Sequence, residues 1–341
     1  MNAEDSTTDR QPLAGLGSPP WRRALVRALE RAPSPGEARS GLERLAEAGG
    51  PELLATWPAE ELEALAAVLG SSRALTRWLV QAGSQWPSIA ARWRLPNPSA
   101  TELEALAAVE PGSDSKQVGR ALRRLARLEL FRIGARDLLG QATLAETLEG
   151  ITRLADVCVE LAVRHARAHL ARESGEVRTP DGRPVGFVVL ALGKHGGGEL
   201  NYSSDIDVAY LYETDVVAPG SPPARAFFSR LAAEVTRILS DQTEEGIVFR
   251  VDLRLRPEGH GGPLVNSLAN ALMYYEGWGD TWERGVLIKA RPAAGDLDLG
   301  WRFIEQVRPF VYRRHLDFQT IEDFRRMKLR IDAEEVVRTR G

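Results

Sequence analysis

The sequence lacks the features that mark secreted, membrane-bound and nucleic-acid-binding proteins. Its 341 residues contain a single cysteine, so an internal disulfide is excluded and a reducing cytoplasm is the expected compartment. The first residues are polar and acidic rather than a signal peptide, and no apolar run is long enough to cross a bilayer. The net charge of -3 gives no global attraction to nucleic acid or to an anionic membrane. We therefore expect a cytoplasmic protein with neither kind of partner.

The composition that remains is that of a globular protein, with 43% apolar and 27% charged residues. Residues 1–20 are rich in serine, proline and glycine and predict a disordered leader. Apolar residues then recur at helical spacing over 21–178. Cys158 lies within this pattern, which favours a buried structural thiol. Residues 179–266 predict a compact core of strands and helix, and 267–341 predict a second helical region.

The core is predicted to contain three strands and one helix, over residues 185–192, 206–212, 247–255 and 224–240 respectively. A mixed sheet set between helical regions defines an α+β fold class. A last helix is predicted over 321–337, and because no glycine cap or proline follows it, we expect the C-terminal region to be truncated. A long helix over 118–139 carries six arginines, which form either a solvated basic face or an anion- or partner-binding face.

A glycine-rich loop leads into two aspartates in the middle of the chain. The loop begins at Gly193-Lys194, directly after the first predicted strand, and ends at Asp205 and Asp207. Two residues is the side-chain period of a strand, so both carboxylates are expected on one face. Adjacent carboxylates repel each other unless a cation lies between them, and hard oxygen ligands suit Mg²⁺ or Mn²⁺. The segment therefore predicts a metal-dependent phosphate-transfer site.

The third predicted strand supports this site. Val251, Leu253 and Leu255 alternate with a polar set, namely Asp252, Arg254 and Arg256. Asp252 is expected to join the other two acids as a metal ligand, while the two arginines bind phosphoryl oxygens. The alternative is a salt-bridge network within the sheet.

Other loop residues have weaker assignments. Lys194 could neutralise phosphate charge, and Ser203 and Ser204 could donate hydrogen bonds to phosphate or simply form a turn. The loop matches neither a Walker A nor a Rossmann fingerprint, and the histidines lack zinc-ligand spacing. Charged residues over 280–284 and 289–291 either form surface ion pairs or border the site.

These motifs resemble the nucleotidyltransferase superfamily of the DNA polymerase β type, in which a glycine pair precedes Asp-x-Asp between apolar residues. Gly193-Lys194 in place of Gly-Ser is typical of one family, glutamine synthetase adenylyltransferase/deadenylylase. The resemblance covers about residues 118–335 and continues through five further motifs, over 250–257, 262–265, 282–284, 289–291 and 308–314. His195 stands where leucine is common in the family.

Members of this family carry two related nucleotidyltransferase domains. The N-terminal copy removes AMP from glutamine synthetase and the C-terminal copy adds it. The sequence from Glu199 to Asp207 is similar to that of the N-terminal copy. The chain is therefore expected to be an N-terminal fragment or a truncated version of a family member.

The resemblance implies a polymerase β-type core and a Mg²⁺- or Mn²⁺-dependent deadenylylase that regulates nitrogen assimilation. Phosphate would attack the adenylyl-tyrosine of glutamine synthetase and release ADP. The implied phosphate- or nucleotide-binding residues are Gly193, Lys194, Ser203, Ser204, Arg254 and Arg256. A PII-type signal protein is an implied partner. Two alternatives stay open: ATP-dependent adenylyl transfer to glutamine synthetase, and a catalytically inactive regulatory binding protein.

Overall fold

The computed structural model describes residue 13, residues 16–110 and 112–312, and residues 325 and 329. The helix predicted over 321–337 and most of the predicted leader lie outside the described residues. The leader prediction is wrong at its C-terminal end, because Leu13 is buried and the first helix already begins at Pro19. The Ser18 hydroxyl caps that helix by accepting from the Trp21 amide, and the Trp21 side chain is buried.

The described residues form fourteen α-helices and five strands, which confirms the α+β prediction. The helices are α1 (Pro19–Arg31), α2 (Pro35–Gly49), α3 (Pro51–Ala55), α4 (Leu62–Ser71), α5 (Arg73–Gln81), α6 (Trp86–Ala90), α7 (Ala100–Ala107), α8 (Ser115–Leu138), α9 (Leu144–Ser174), α10 (Gly193–Gly196), α11 (Ala224–Ser240), α12 (Leu268–Gly277), α13 (Thr281–Ile288) and α14 (Leu297–Val311). The strands are β1 (Phe187–Ala191), β2 (Ile206–Tyr212), β3 (Val251–Asp252), β4 (Val265–Ser267) and β5 (Arg291–Gly295). None of the described helices is both long and apolar enough to span a membrane.

The chain divides into two compact units, and neither is a continuous stretch of sequence. The first comprises residues 1–98 and 127–150, and the second comprises 99–126 and 151–341. The long helices α8 and α9 each contribute residues to both units. The boundaries of these units differ from those of the regions predicted over 21–178, 179–266 and 267–341. Periodicity locates a helix but does not say which core its apolar face joins.

The first unit is a helical core with tryptophans at its centre. The Trp57 ring lies 5.0 Å from Trp86 and 5.8 Å from Trp93, between ring centroids. A buried ion pair lies on the α8 residues of this unit, where the Glu129 carboxylate accepts from Arg132 at 2.8 Å and from Arg92 at 2.6 Å. Arg132 is only 1% exposed. The arginines of 118–139 are therefore not all on a solvated face, because an acid within the same helix compensates their burial.

The second unit contains a mixed five-stranded sheet of order β3-β2-β1-β5, with β4 also paired to β2. Strand β1 is antiparallel to both β2 and β5, whereas β3 and β4 are parallel to β2. One face packs on α11, where the Phe228 ring stacks on Phe187 and Tyr212. Residues of β1 and β2 on the other face share a core with the C-terminal helices, among them Tyr275 and Phe303. Cys158 is buried in this unit, as predicted.

Three details of the predicted strands are corrected. The strand predicted over 247–255 is reduced to β3, because the Arg254 amide donates to the Asp252 carboxylate at 2.8 Å and the chain turns there. The region predicted as helical over 267–341 supplies β5, whose proline and alanines carry little strand propensity and whose pairing to β1 is decided by tertiary structure. Strand β4 is too short to produce a periodic pattern.

Candidate active site

The register between β2 and β3 brings the predicted acids together. Asp207 pairs with Asp252 across these parallel strands, and Ile206 pairs with Val251. Neighbouring strands lie about 4.8 Å apart, so the two aspartates are adjacent at the edge of the sheet. Asp205 immediately precedes β2. All three carboxylates are thus held within one small region by backbone pairing.

The two outer carboxylates are each paired with an exposed arginine. The Arg254 guanidinium donates to both oxygens of Asp252, at 2.8 Å from Nε to Oδ2. The Arg250 guanidinium pairs with Asp205 and also donates to the Ser203 carbonyl. Both arginine side chains are about 60% exposed. The Arg250–Asp205 pair is exposed on both sides and can open at little cost, whereas Asp252 is only 11% exposed and would need a cation in place of Arg254.

Asp207 is the electrostatic centre of the group. Partial burial, followed by the charges of Asp252 and Asp205, raises the pKa of Asp207 to about 6. The positive charges of Arg254 and Lys194 act in the opposite direction. Within the part of the chain that the structure describes, the Asp207 carboxylate accepts no hydrogen bond. The Asp207 carboxylate thus lies beside two other carboxylates and receives no hydrogen bond from a described residue. A cation bound there would relieve the repulsion among the three.

The donor chemistry of this group fits a hard divalent cation. Three carboxylates at one sheet edge provide the oxygen ligands that Mg²⁺ and Mn²⁺ prefer. Among the described residues, no three acids, histidines or cysteines are already gathered as a metal site. Asp205 and Asp252 are instead each paired with an arginine. Assignment of these acids as metal ligands stays a prediction.

The glycine-rich loop approaches Asp207 directly. Gly193 begins the short helix α10 with a φ of +53°, a conformation that favours glycine. A Cβ at this position would collide with the Asp207 carboxylate, whose Cγ would lie 3.1 Å away. Gly193 therefore allows the backbone to approach the Asp207 carboxylate closely. It does not form a Walker-type phosphate loop. Lys194 is exposed beside it.

A buried polar cluster lies behind the loop. The fully buried His195 ring contacts the Asp156 carboxylate of α9 through Nε2 at 2.8 Å. Arg291 of β5 donates to the same carboxylate at 3.0 Å and to the His195 carbonyl at 3.2 Å. Lys289 forms an ion pair with Glu199 at 2.6 Å. Within segment 289–291, Lys289 thus forms a surface ion pair, as in one alternative predicted for it, while Arg291 contacts the loop, as in the other.

The predicted serines belong to a turn in this structure. The Asn201 side chain accepts from the Ser203 amide at 3.2 Å and from the Ser204 hydroxyl at 2.9 Å. Arg256 is also engaged, since its guanidinium donates to the carbonyls of Leu253 and Pro263 at 2.8 and 3.1 Å. Any phosphate bound by Arg256 would compete with these carbonyls. The phosphate-binding roles of these residues stay predictions.

Sequence reasoning missed the partners of the predicted residues. Arg250 and Asn201 lie within the quoted motifs but were assigned no role, and Asp156 lies far away on α9. The signal for Arg250 was present, because it immediately precedes the strand that pairs beside Asp205. Asp156 gave no signal, because its contact to His195 depends on how α9 packs.

Comparisons with known proteins relate the chain to one family. The family model for glutamate-ammonia ligase adenylyltransferase matches residues 62–306. The chain is 39% identical over 327 residues, or 93% of its length, to a bifunctional glutamine synthetase adenylyltransferase/adenylyl-removing enzyme of Pseudomonas aeruginosa. Proteins with the same name from Thioalkalivibrio sulfidiphilus and Nitrosococcus oceani are both 44% identical, over 69% and 62% of the chain.

These matches define a nucleotidyltransferase class, because an adenylyltransferase transfers a nucleotidyl group. The chain belongs to the glutamate-ammonia ligase adenylyltransferase family, which confirms the family predicted from the motifs. It covers 32%, 24% and 22% of the lengths of the Pseudomonas, Thioalkalivibrio and Nitrosococcus proteins. The chain thus spans a third or less of these relatives.

Proposed function

We propose that this chain removes AMP from adenylylated glutamine synthetase by metal-dependent phosphorolysis, on a core of the polymerase β nucleotidyltransferase type. The observation that carries the proposal is the half-buried Asp207 carboxylate, which lies beside Asp205 and Asp252 without a hydrogen-bond donor among the described residues. The name of the relatives supports it, since it includes both adenylyl transfer to and adenylyl removal from glutamine synthetase.

The proposed reaction is a displacement at phosphorus. An oxygen of inorganic phosphate attacks the adenylyl phosphorus, the bond to the tyrosine oxygen breaks, and ADP and tyrosine are the products. The leaving phenolate has a pKa of about 10 and takes up a proton from water, so the reaction requires no strong general acid. Asp205, Asp207 and Asp252 would hold one or two Mg²⁺ or Mn²⁺ ions, which supply positive charge to the transferring group.

The chain's own residues supply position and charge. Strand pairing fixes Asp207 opposite Asp252, and Gly193 leaves room for the Asp207 carboxylate. Arg254 and Lys194 place positive charge near Asp207, where the incoming and adenylyl phosphates would carry negative charge. Because the Arg254 side chain is 61% exposed, it can transfer from Asp252 to a phosphate.

The proposed direction of AMP transfer rests on the amino-acid sequence of the motif rather than on the geometry of the site. The segment from Glu199 to Asp207 is similar to the N-terminal copy of the family, which removes AMP. The same carboxylates would serve the alternative, a separate reaction in which the tyrosine oxygen of glutamine synthetase attacks the α-phosphorus of ATP and pyrophosphate leaves. A PII-type signal partner and a cytoplasmic location belong to this proposal as well.

Product analysis tests the proposal. The chain is incubated with adenylylated glutamine synthetase, phosphate and Mg²⁺, and ADP is measured. We expect ADP release that is abolished by Asp207→Asn and retained by Asp298→Asn, a matched change of an exposed acid on α14. AMP incorporation from ATP without ADP release would support the transfer alternative instead. If neither reaction occurs and Asp205→Asn leaves metal affinity unchanged, the chain is a regulatory binding protein.

A further inference from the structure

A cavity of about 510 Å³ lies in the second unit, between α11, α12, β4 and the loop that follows β3. We call it the α12 groove. Its polar and aromatic lining residues include Arg225, Glu258, Asn266, Asn270, Tyr274 and Trp278. None of them is used by the proposed reaction.

The α12 groove is separate from the carboxylate cluster. Tyr212 lines the groove and lies five residues beyond Asp207 on β2. This separation corresponds to about 17 Å along an extended strand. Asn266 of β4 pairs with Leu211, four residues beyond Asp207, so the two sites are separated along the sheet rather than by its two faces. A ligand in the groove therefore does not occupy the position of the three aspartates.

One end of the groove is built to receive an anion. Asn266 is only 6% exposed, yet its amide makes no hydrogen bond to any described residue while it lines the cavity. The polar atoms of this amide are reached through the cavity, where a ligand or water can supply their hydrogen bonds. Arg225 and Asn270, also without side-chain partners in the described part of the chain, lie in the first turns of α11 and α12. The Arg225 guanidinium favours negative charge there, whereas the N-terminus of α12 is already capped by the Ser267 hydroxyl.

The other end is aromatic. Asn270, Tyr274 and Trp278 follow one another at four-residue spacing, so they lie along one side of α12 over about 12 Å. The Trp278 side chain is 80% exposed although it borders a cavity. Glu258 also lines the groove, holds a left-handed φ of +63° and has no partner for its carboxylate among the described residues. A carboxylate there repels an anion and accepts hydrogen bonds from amino or hydroxyl groups.

We propose that the α12 groove binds a nucleoside monophosphate. The phosphate lies with Arg225 and the two asparagines, and the base stacks on Trp278 and Tyr274. Glu258 accepts hydrogen bonds from ribose hydroxyls or from an exocyclic amine of the base. The length of the groove, its opposite charges and its exposed tryptophan together fit a ligand with an anionic end and a planar end. The inference does not depend on the proposed reaction.

Binding of AMP to the full chain tests the inference. Equilibrium dialysis and tryptophan fluorescence are recorded in the presence of a metal chelator, which disfavours nucleotide at the carboxylate cluster. We expect one AMP per chain, with affinity reduced at least tenfold by Arg225→Gln and several-fold by Trp278→Ala. Two matched controls, Arg230→Gln on α11 and Trp301→Ala on α14, should change affinity less than twofold.

Three results would overturn the inference: no binding of AMP at millimolar concentration, equal loss in the variants and their controls, or loss of binding in Asp207→Asn. Adenosine and inorganic phosphate separate the two ends, and each should bind at least tenfold more weakly than AMP. Equal binding of adenosine and AMP would show that the Arg225 end takes no phosphate. ADP release from adenylylated glutamine synthetase should be unchanged by Arg225→Gln, so failure here and failure of the proposed reaction are distinguishable.

Discussion

Replacing Gly193 with alanine tests how closely the backbone must approach Asp207. The φ of +53° is the left-handed region, where a non-glycine residue is less stable by about 1–2 kcal/mol. The new Cβ also collides with the Asp207 carboxylate, and relief of such overpacking costs about 1–3 kcal/mol more. We therefore expect Gly193→Ala to lower the free energy of unfolding by about 2–5 kcal/mol, through strain and displacement together.

The displacement should affect activity more than stability. A catalytic group moved by about 1 Å can lose roughly 100-fold in rate, and the Asp207 carboxylate is the group that the new Cβ would displace. We expect ADP release by Gly193→Ala to fall by about that factor. The measurement is initial rate at saturating substrate, with the free energy of unfolding obtained from urea titration.

Gly198 provides the matched control. Its φ is +72°, and a Cβ there would meet no atom within 4 Å. Gly198→Ala therefore carries the backbone strain alone, about 1–2 kcal/mol, and should retain activity. If Gly193→Ala and Gly198→Ala lose stability and activity equally, the contact with Asp207 has no role. Full activity in Gly193→Ala would refute the placement of Asp207 in the reaction.

Three further predictions concern charge. Glu129→Gln should lower the free energy of unfolding by about 3 kcal/mol in a urea titration, because it leaves buried arginines uncompensated. As a control, Glu63→Gln at an exposed ion pair should change the same free energy by less than about 1 kcal/mol. Hydrogen bonds from Arg183 are the main cause that lowers the pKa of Glu213 to about 2 from an ordinary 4.5. The stability that Glu213 contributes is therefore complete above pH 4.5 and is lost as the pH falls through about 2. Glu213→Gln should reduce stability by about 1–2 kcal/mol at pH 7, and a difference from wild type that does not shrink in acid would contradict this. Asp207→Asn should raise the melting temperature in chelator at pH 8, by the equivalent of about 1 kcal/mol. The reason is that it removes a charge that is partly buried and is repelled by Asp252 and Asp205. A lower melting temperature would contradict this.

The parts of the site that depend on local pattern were predictable from sequence. Asp205 and Asp207 lie at strand spacing after a glycine loop, and the structure places Asp207 beside Asp252 through β2–β3 pairing. Alternation of Val251, Leu253 and Leu255 located the right segment but overestimated its strand. The turn after Asp252 comes from a side-chain hydrogen bond to the Arg254 amide, which periodicity does not detect.

The parts that depend on packing were not predictable. The phosphate-binding roles of Arg254 and Arg256 stay predictions, but their contacts in this structure, with Asp252 and with the Leu253 carbonyl, were not predicted. His195 was noted only as a departure from a common leucine, yet it is buried against Asp156 of a distant helix. Strand β5 has the composition of a loop and becomes a strand because β1 offers an unpaired edge. For His195 and β5 the deciding partner is far away in sequence, whereas for the two arginines it lies within the same loop and depends on how that loop turns.

The interleaved order of the two units has a consequence during synthesis of the chain. The core of the first unit includes Trp93 together with Phe131 and Ala135 of α8. The segment that completes this core is translated roughly 40 residues after Trp93, which takes several seconds at ribosomal rates of about 5–20 residues per second. During that interval the tryptophan-rich surface of the nascent helices has no cover from α8, so chaperone capture should concentrate on chains stalled before residue 131.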